Sequence, residues 1–180
     1  MTDHKAIADA ELHEPKGVVS ASDGQIYVAD GTGSGDWRHE AHSAFHYSDI
    51  GTGTTITTPT VYTLVGPATT ADNDPHDFTH NSLGRLTYTG TETVDVHIVS
   101  AITFKHSTGG GADCYFDIHK NGASLAGAEF VRSASSADFG SIILVGHGSL
   151  TTNDYLEVWC KVASGSITVH AMALNVSGKI

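Results

Sequence analysis

The stretch "TVDVHIVSAITFK", Thr93 to Lys105, places Val94, Val96, Ile98, Ile102 and Phe104 on one face and Asp95, His97, Thr103 and Lys105 on the other. A period of two is that of a strand with one buried face. Downstream, "ADCYFDIHKNGASLAG", Ala112 to Gly127, repeats the pattern with Cys114, Phe116 and Ile118 inward, then reaches Asn121-Gly122. That pair tolerates the positive φ of a two-residue hairpin turn, so a strand over Ser124 to Val131 is expected to follow. "FGSIILVGHGSLTTNDYLEVWCKV", Phe139 to Val162, supplies two more strands about a turn at Asn153-Asp154, and "SITVHAMALNVS", Ser166 to Ser177, closes the series. Strands spaced in this way imply an all-β fold, an antiparallel sandwich or jelly roll.

Upstream the pattern weakens. "QIYVADGTGSGDWRH", Gln25 to His39, pairs a short β-favouring run, Ile26 to Ala29, with a Gly-rich turn and an aromatic return at Trp37, and reads as a small hairpin. Residues 1 to 24 have no sustained period and read as an extended arm. From Ser43 to Asn81 the text is irregular, with one strand expected at Thr54 to Val65 and a loop over "GPATTADNDPHDFTH". The expected organisation is an arm and hairpin over 1–38, a linker with one or two strands over 39–83, and the jelly roll over 84–180.

Composition agrees with this class. Of 180 residues only 16% are charged, while Gly is abundant and Pro scarce, which suits strands and turns better than helices. The formal charge of -11, with nine Lys plus Arg, leaves no basic stripe to neutralise phosphates, so no nucleic-acid partner is expected. No apolar run reaches the roughly 18 residues of a membrane span, and "MTDHKAIADAEL" lacks the pattern of a signal peptide, so synthesis in a cytoplasm without membrane insertion is expected. Cys114 and Cys160 fall at alternate positions of apolar strands and are expected as buried free thiols.

The outward rows point to self-association. In "DYLEVWCKV" Leu156, Val158, Cys160 and Val162 form the inward row, but Tyr155 and Trp159 stand outward beside Glu157 and Lys161. In the last strand Met172, Leu174 and Val176 lie on one face and Val169, Ala171 and Ala173 on the other. Both faces then need cover, and aromatic residues favour interface cores. Tyr115, Tyr155, Trp159, Met172 and Leu174 are accordingly expected at a subunit interface.

Candidate chemistry is thin. His39, His42 and His46 in "HEAHSAFH" would share one face if the segment were helical, a possible zinc set, but the spacing is not H-E-x-x-H. Asp72, Asn73, Asp74 and Asp77, with His76 and His80, offer oxygen ligands without the spacing of a calcium loop. "GTGSGD" and "GHGSL" are neither nucleophile elbows nor phosphate loops. Asp113 and Asp117 are too far apart along a strand for a glycosidase pair. The expectation is no catalytic residue, no metal and no cofactor.

The stretch from Gly84 to Val176 resembles the trimeric jelly roll shared by complement-type heads, tumour-necrosis-factor-like domains and many bacteriophage virion proteins. The pieces are L-x-Y-x-G at Leu86, Tyr88 and Gly90, the K-N-G turn at Lys120 to Gly122, and the strand "LTTNDYLEVW" from Leu150. "LHEPKGV" followed by "IYVADGTGSGDW" resembles a preface of tailed-phage virion proteins. The resemblance implies a homotrimer on a virion surface. Its docking arm would include Leu12, His13, Glu14, Pro15, Lys16, Gly17, Ile26, Tyr27, Val28 and Trp37, and its partner would be the major capsid protein of the head. A tail-fibre or spike tip recognising a host glycan, and a cellular carbohydrate-binding module, are the alternatives.

Overall fold

A computed structural model describes residues 21–29, 31–32, 34–48, 54–57, 60–65, 70–71 and 75–179. The chain forms two compact units, Met1–Glu40 and Ala41–Ile180. In the first, β1 (Ile26–Ala29) and β2 (Gly35–Arg38) pair antiparallel, with Tyr27 opposite Trp37.

The second unit carries β3 (His42–Ser48), β4 (Thr54–Ile56), β5 (Thr63–Leu64), β6 (Thr70–Ala71), β7 (Phe78–Asn81), β8 (Arg85–Tyr88) and β9 (Val94–His106). It continues with β10 (Ala112–Lys120), β11 (Ala123–Ser124), β12 (Phe130–Ala134), β13 (Gly140–Leu150), β14 (Tyr155–Val162) and β15 (Ile167–Lys179). One sheet runs β13-β9-β15-β3-β6, with β4 also on β15. The other runs β11-β10-β14-β8-β7, with β12 on β10 and β5 on β14. From β8 to β10, and again from β12 to β15, the chain changes sheet at each connection. Neighbours within a sheet are therefore distant in sequence, the arrangement of a jelly roll.

One apolar core fills the sandwich. The inward row of β9 is Val94, Val96, Ile98, Ile102 and Phe104, all buried as the alternation requires. It faces Cys114, Phe116 and Ile118 of β10 and Leu156, Val158, Cys160 and Val162 of β14. The turns expected at Asn121-Gly122 and near Asn153 form with positive φ at all three of those residues. Both cysteines are free and buried.

Four readings are corrected. Residues 39–83 are not a linker: Phe45, Ile56, Val65 and Phe78 join the core, so the sandwich begins at Ala41 rather than Gly84. The strand expected over Thr54 to Val65 is two strands in different sheets, β4 and β5. The strand expected over Ser124 to Val131 is likewise divided into β11 and β12 by a turn at Gly127. In β15 the register against β9 shifts between Val169 and Ala171, so His170 is an extra residue and parity flips. Val169 thus shares the core face with Met172 and Leu174, both fully buried within the one chain and withdrawn from any subunit surface.

Candidate functional site

The outward face of the six-stranded sheet is built from rows that cross four strands in register. Ile143, Ala101, Ala173 and His46 form one row, and Val145, Val99, Asn175 and Ala44 the next. The flanking rows are Ser141, Thr103, Ala171 and Ser48, and His147, His97, Ser177 and His42. No Asp, Glu, Lys or Arg stands in these four rows. Small side chains keep the face low, and Ile143 and Val145 stand out of it at 62% and 38% exposure. A low face without fixed charge can be covered by another protein at little desolvation cost. Sequence reasoning missed it by following the aromatic rows; the signal was Val99 and Ala101 in the polar row of β9, beside the Ile143 and Val145 row of β13.

The opposite sheet presents the aromatic row, and the chain covers it itself. Trp159 stacks on His119 with centroids 4.9 Å apart and donates its indole N–H to Glu157 at 2.9 Å. Arg85 bonds Glu157 at 2.8 Å and lies over the Tyr155 ring at 3.8 Å. Lys161 sits 4.8 Å from the Tyr115 centroid and 4.2 Å from that of Tyr62. Tyr62 donates its hydroxyl to Glu129, and its ring meets His119 edge-on. Burial, then the Glu129 hydrogen bond, push the Tyr62 phenol well above its ordinary range, while that same bond, with Lys161, lowers the Glu129 carboxyl. Beneath lies Asp117, 1% exposed, with Oδ2 3.2 Å from His119 Nε2. Tyr115, Tyr155 and Trp159, expected to await a second subunit, therefore spend much of their surface on their own chain's ions.

The hairpin unit carries Tyr27 and Trp37 as an edge-on cross-strand pair with centroids 5.4 Å apart, and Arg38 bridges Asp36 at 3.3 Å. Ile26 and Val28 flank Tyr27 on β1; Leu12, His13, Glu14, Pro15, Lys16 and Gly17 lie outside the described residues. The histidine triplet is not helical: His42 and His46 stand on strand β3, and His39 precedes it in the other unit. His42 instead meets His76, which bridges to it through both backbone hydrogen bonds. Of the aspartate loop, Asp72, Asn73 and Asp74 lie outside the described residues.

No family model and no curated protein matches the sequence. Solved structures do. Eiger TNF from S. frugiperda is 13% identical, with 78% of this chain and 93% of that one covered, at a TM-score of 0.54. Murine APRIL at pH 5.0 is 14% identical over 77% and 99%, at a TM-score of 0.50. The sandwich has a tumour-necrosis-factor-like fold. PRD1 vertex protein P5 aligns more loosely, 16% identical over 79% and 98%, at a TM-score of 0.46. At these identities the likeness is one of fold.

Proposed function

We propose that this chain is a structural protein of a tailed-bacteriophage virion, a homotrimer that decorates the head and stabilises it. The observation that carries the reading is the pairing of an N-terminal hairpin unit with a tumour-necrosis-factor-like sandwich whose six-stranded sheet presents, in the middle of its outward face, four rows without Asp, Glu, Lys or Arg, with Ile143, Val145, Val99, Ala101 and Ala173 among them. Three copies meeting on that face bury Ile143, Val145, Val99, Ala101 and Ala173. Three arms then leave one body, and once one arm is held the others bind at the effective concentration set by their reach. A trimer that binds only the assembled capsid lattice shifts stability toward that state by mass action. The charge of -11 favours the major capsid protein over packaged nucleic acid as the contact.

The test is to mix the full chain with phage heads stripped of it, with isolated tails and with host cells. Saturable binding to heads, with a raised temperature of head disruption, supports decoration. Binding to tails or cells, with heads ignored, overturns it in favour of a glycan-recognising fibre or spike tip.

A further inference from the structure

We propose that His97 and His147 form a chelating site for a borderline divalent metal ion such as Zn²⁺, Ni²⁺ or Cu²⁺. The two residues are direct cross-strand partners on β9 and β13, with ring centroids 4.8 Å apart and planes inclined by 44°. Both are exposed on the outward face of the six-stranded sheet. Two metal–nitrogen bonds of about 2.0–2.1 Å at a tetrahedral angle hold their nitrogens roughly 3.3 Å apart. Small rotations about the side-chain bonds bring facing nitrogens from a 4.8 Å centroid separation to that spacing.

The backbone prepares this pair in a way that an exposed loop would not. Eleven consecutive register pairs, Gly140↔Phe104 to Leu150↔Val94, join β13 to β9, so the two Cα atoms are held face to face by a long ladder. Once one imidazole has bound, the second acts at a high effective concentration. Ser177, next in the row beyond His97, is small and leaves the approach open. Asp95, two residues along β9 on the same face, adds a negative charge that favours a cation. Imidazole pairs suit Zn, Ni and Cu, whereas Ca and Mg demand oxygen ligands. The remaining positions on the ion are open to water or to a donor from another molecule. The chelate is complete within one chain and does not rest on the proposed assembly.

The experiment uses the full chain stripped with EDTA, titrated with Zn²⁺ by calorimetry and with substoichiometric Cu²⁺ by imidazole NMR. The His97 and His147 ring signals are expected to broaden first, and the tightest class of Zn²⁺ sites to hold about one ion per chain. His97→Gln and His147→Gln, at exposed positions outside the core, should each weaken that class by about tenfold or more. His39→Gln, in the other unit, should leave it unchanged. Unbroadened His97 and His147 rings, or Gln variants that bind as the original chain does, would overturn the assignment. So would the absence of Zn²⁺ binding at about 100 μM, a concentration that a two-imidazole chelate should bind.

Discussion

Phe104 of β9 and Phe116 of β10, from opposite sheets, meet in the sandwich with ring centroids 4.6 Å apart, and both are fully excluded from solvent. Replacing either by Ala removes the contact and leaves a cavity in a close-packed interior. Phe104→Ala and Phe116→Ala should each lower unfolding free energy by about 3–5 kcal/mol in urea titrations. The double variant should lose less than the sum, because the partners share one cavity.

Gly90 lies against the phenol of Tyr88, so that a Cβ at Gly90 would come 2.2 Å from its hydroxyl oxygen and 2.4 Å from its ring. Tyr88 cannot swing aside freely, because it is buried and its hydroxyl donates to the Glu92 carbonyl at 2.9 Å. The L-x-Y-x-G pattern is thus a packing device at the end of β8. Gly90→Ala should destabilise by about 1–3 kcal/mol through overpacking. Pairing it with Tyr88→Phe, which removes the nearest atom, should recover part of that loss.

Much of the sandwich was legible because single residues announce it. The row from Val94 to Phe104 needs only parity, and Asn121-Gly122 needs only the conformational freedom of its turn. What stayed hidden depends on partners far along the chain. Nothing local marks His170 as an extra residue; the bulge exists only against β9. Trp159 reads as an exposed aromatic until β10 brings His119 to stack on it and Glu157, two residues along β14, accepts its indole N–H. Strands of two or three residues such as β5 are too short to show a period, and Thr63 and Leu64 are held there by pairing with Cys160 and Trp159.

Asp154 should set part of the acid limit of stability. Burial raises its pKa, but this is outweighed by Lys120 at 2.8 Å, the Thr151 amide at 2.8 Å and the Asn121 side-chain amide at 2.6 Å. The folded carboxyl is therefore held well below the ordinary carboxylate range. A depressed folded pKa contributes stability that is fully present above the unfolded value, near 3.9, and is lost as pH falls through the folded value. Asp154→Asn should be less stable at neutral pH, and its deficit should shrink as pH is taken from about 5 to 2. Equal deficits at both ends, by urea midpoint, would remove Asp154 from the acid response.

The thiols should be inert while the fold holds. Burial, then the Asp113 charge, push the Cys114 thiol up to about 11, and burial also raises Cys160 above its ordinary range. At pH 8 the folded chain should resist iodoacetamide at both positions, whereas urea-unfolded chain should alkylate at both within minutes, since a free thiol has a pKa near 8.5. Mass spectrometry counts the adducts. Rapid labelling of the native chain would mean that β10 and β14 open locally.

The claim on which the proposed role depends is that three copies meet on the outward face of β13, β9, β15 and β3. Sedimentation equilibrium of the full chain, compared with Ala101→Glu and Ala173→Glu, tests it most directly. Both alanines lie in the row with Ile143, and a carboxylate there would be buried between copies without a partner. The account predicts a particle three times the 18.8 kDa chain mass for the original protein and single, still folded chains for both variants. A single 18.8 kDa species for the original protein, or trimers that survive both substitutions, would contradict it.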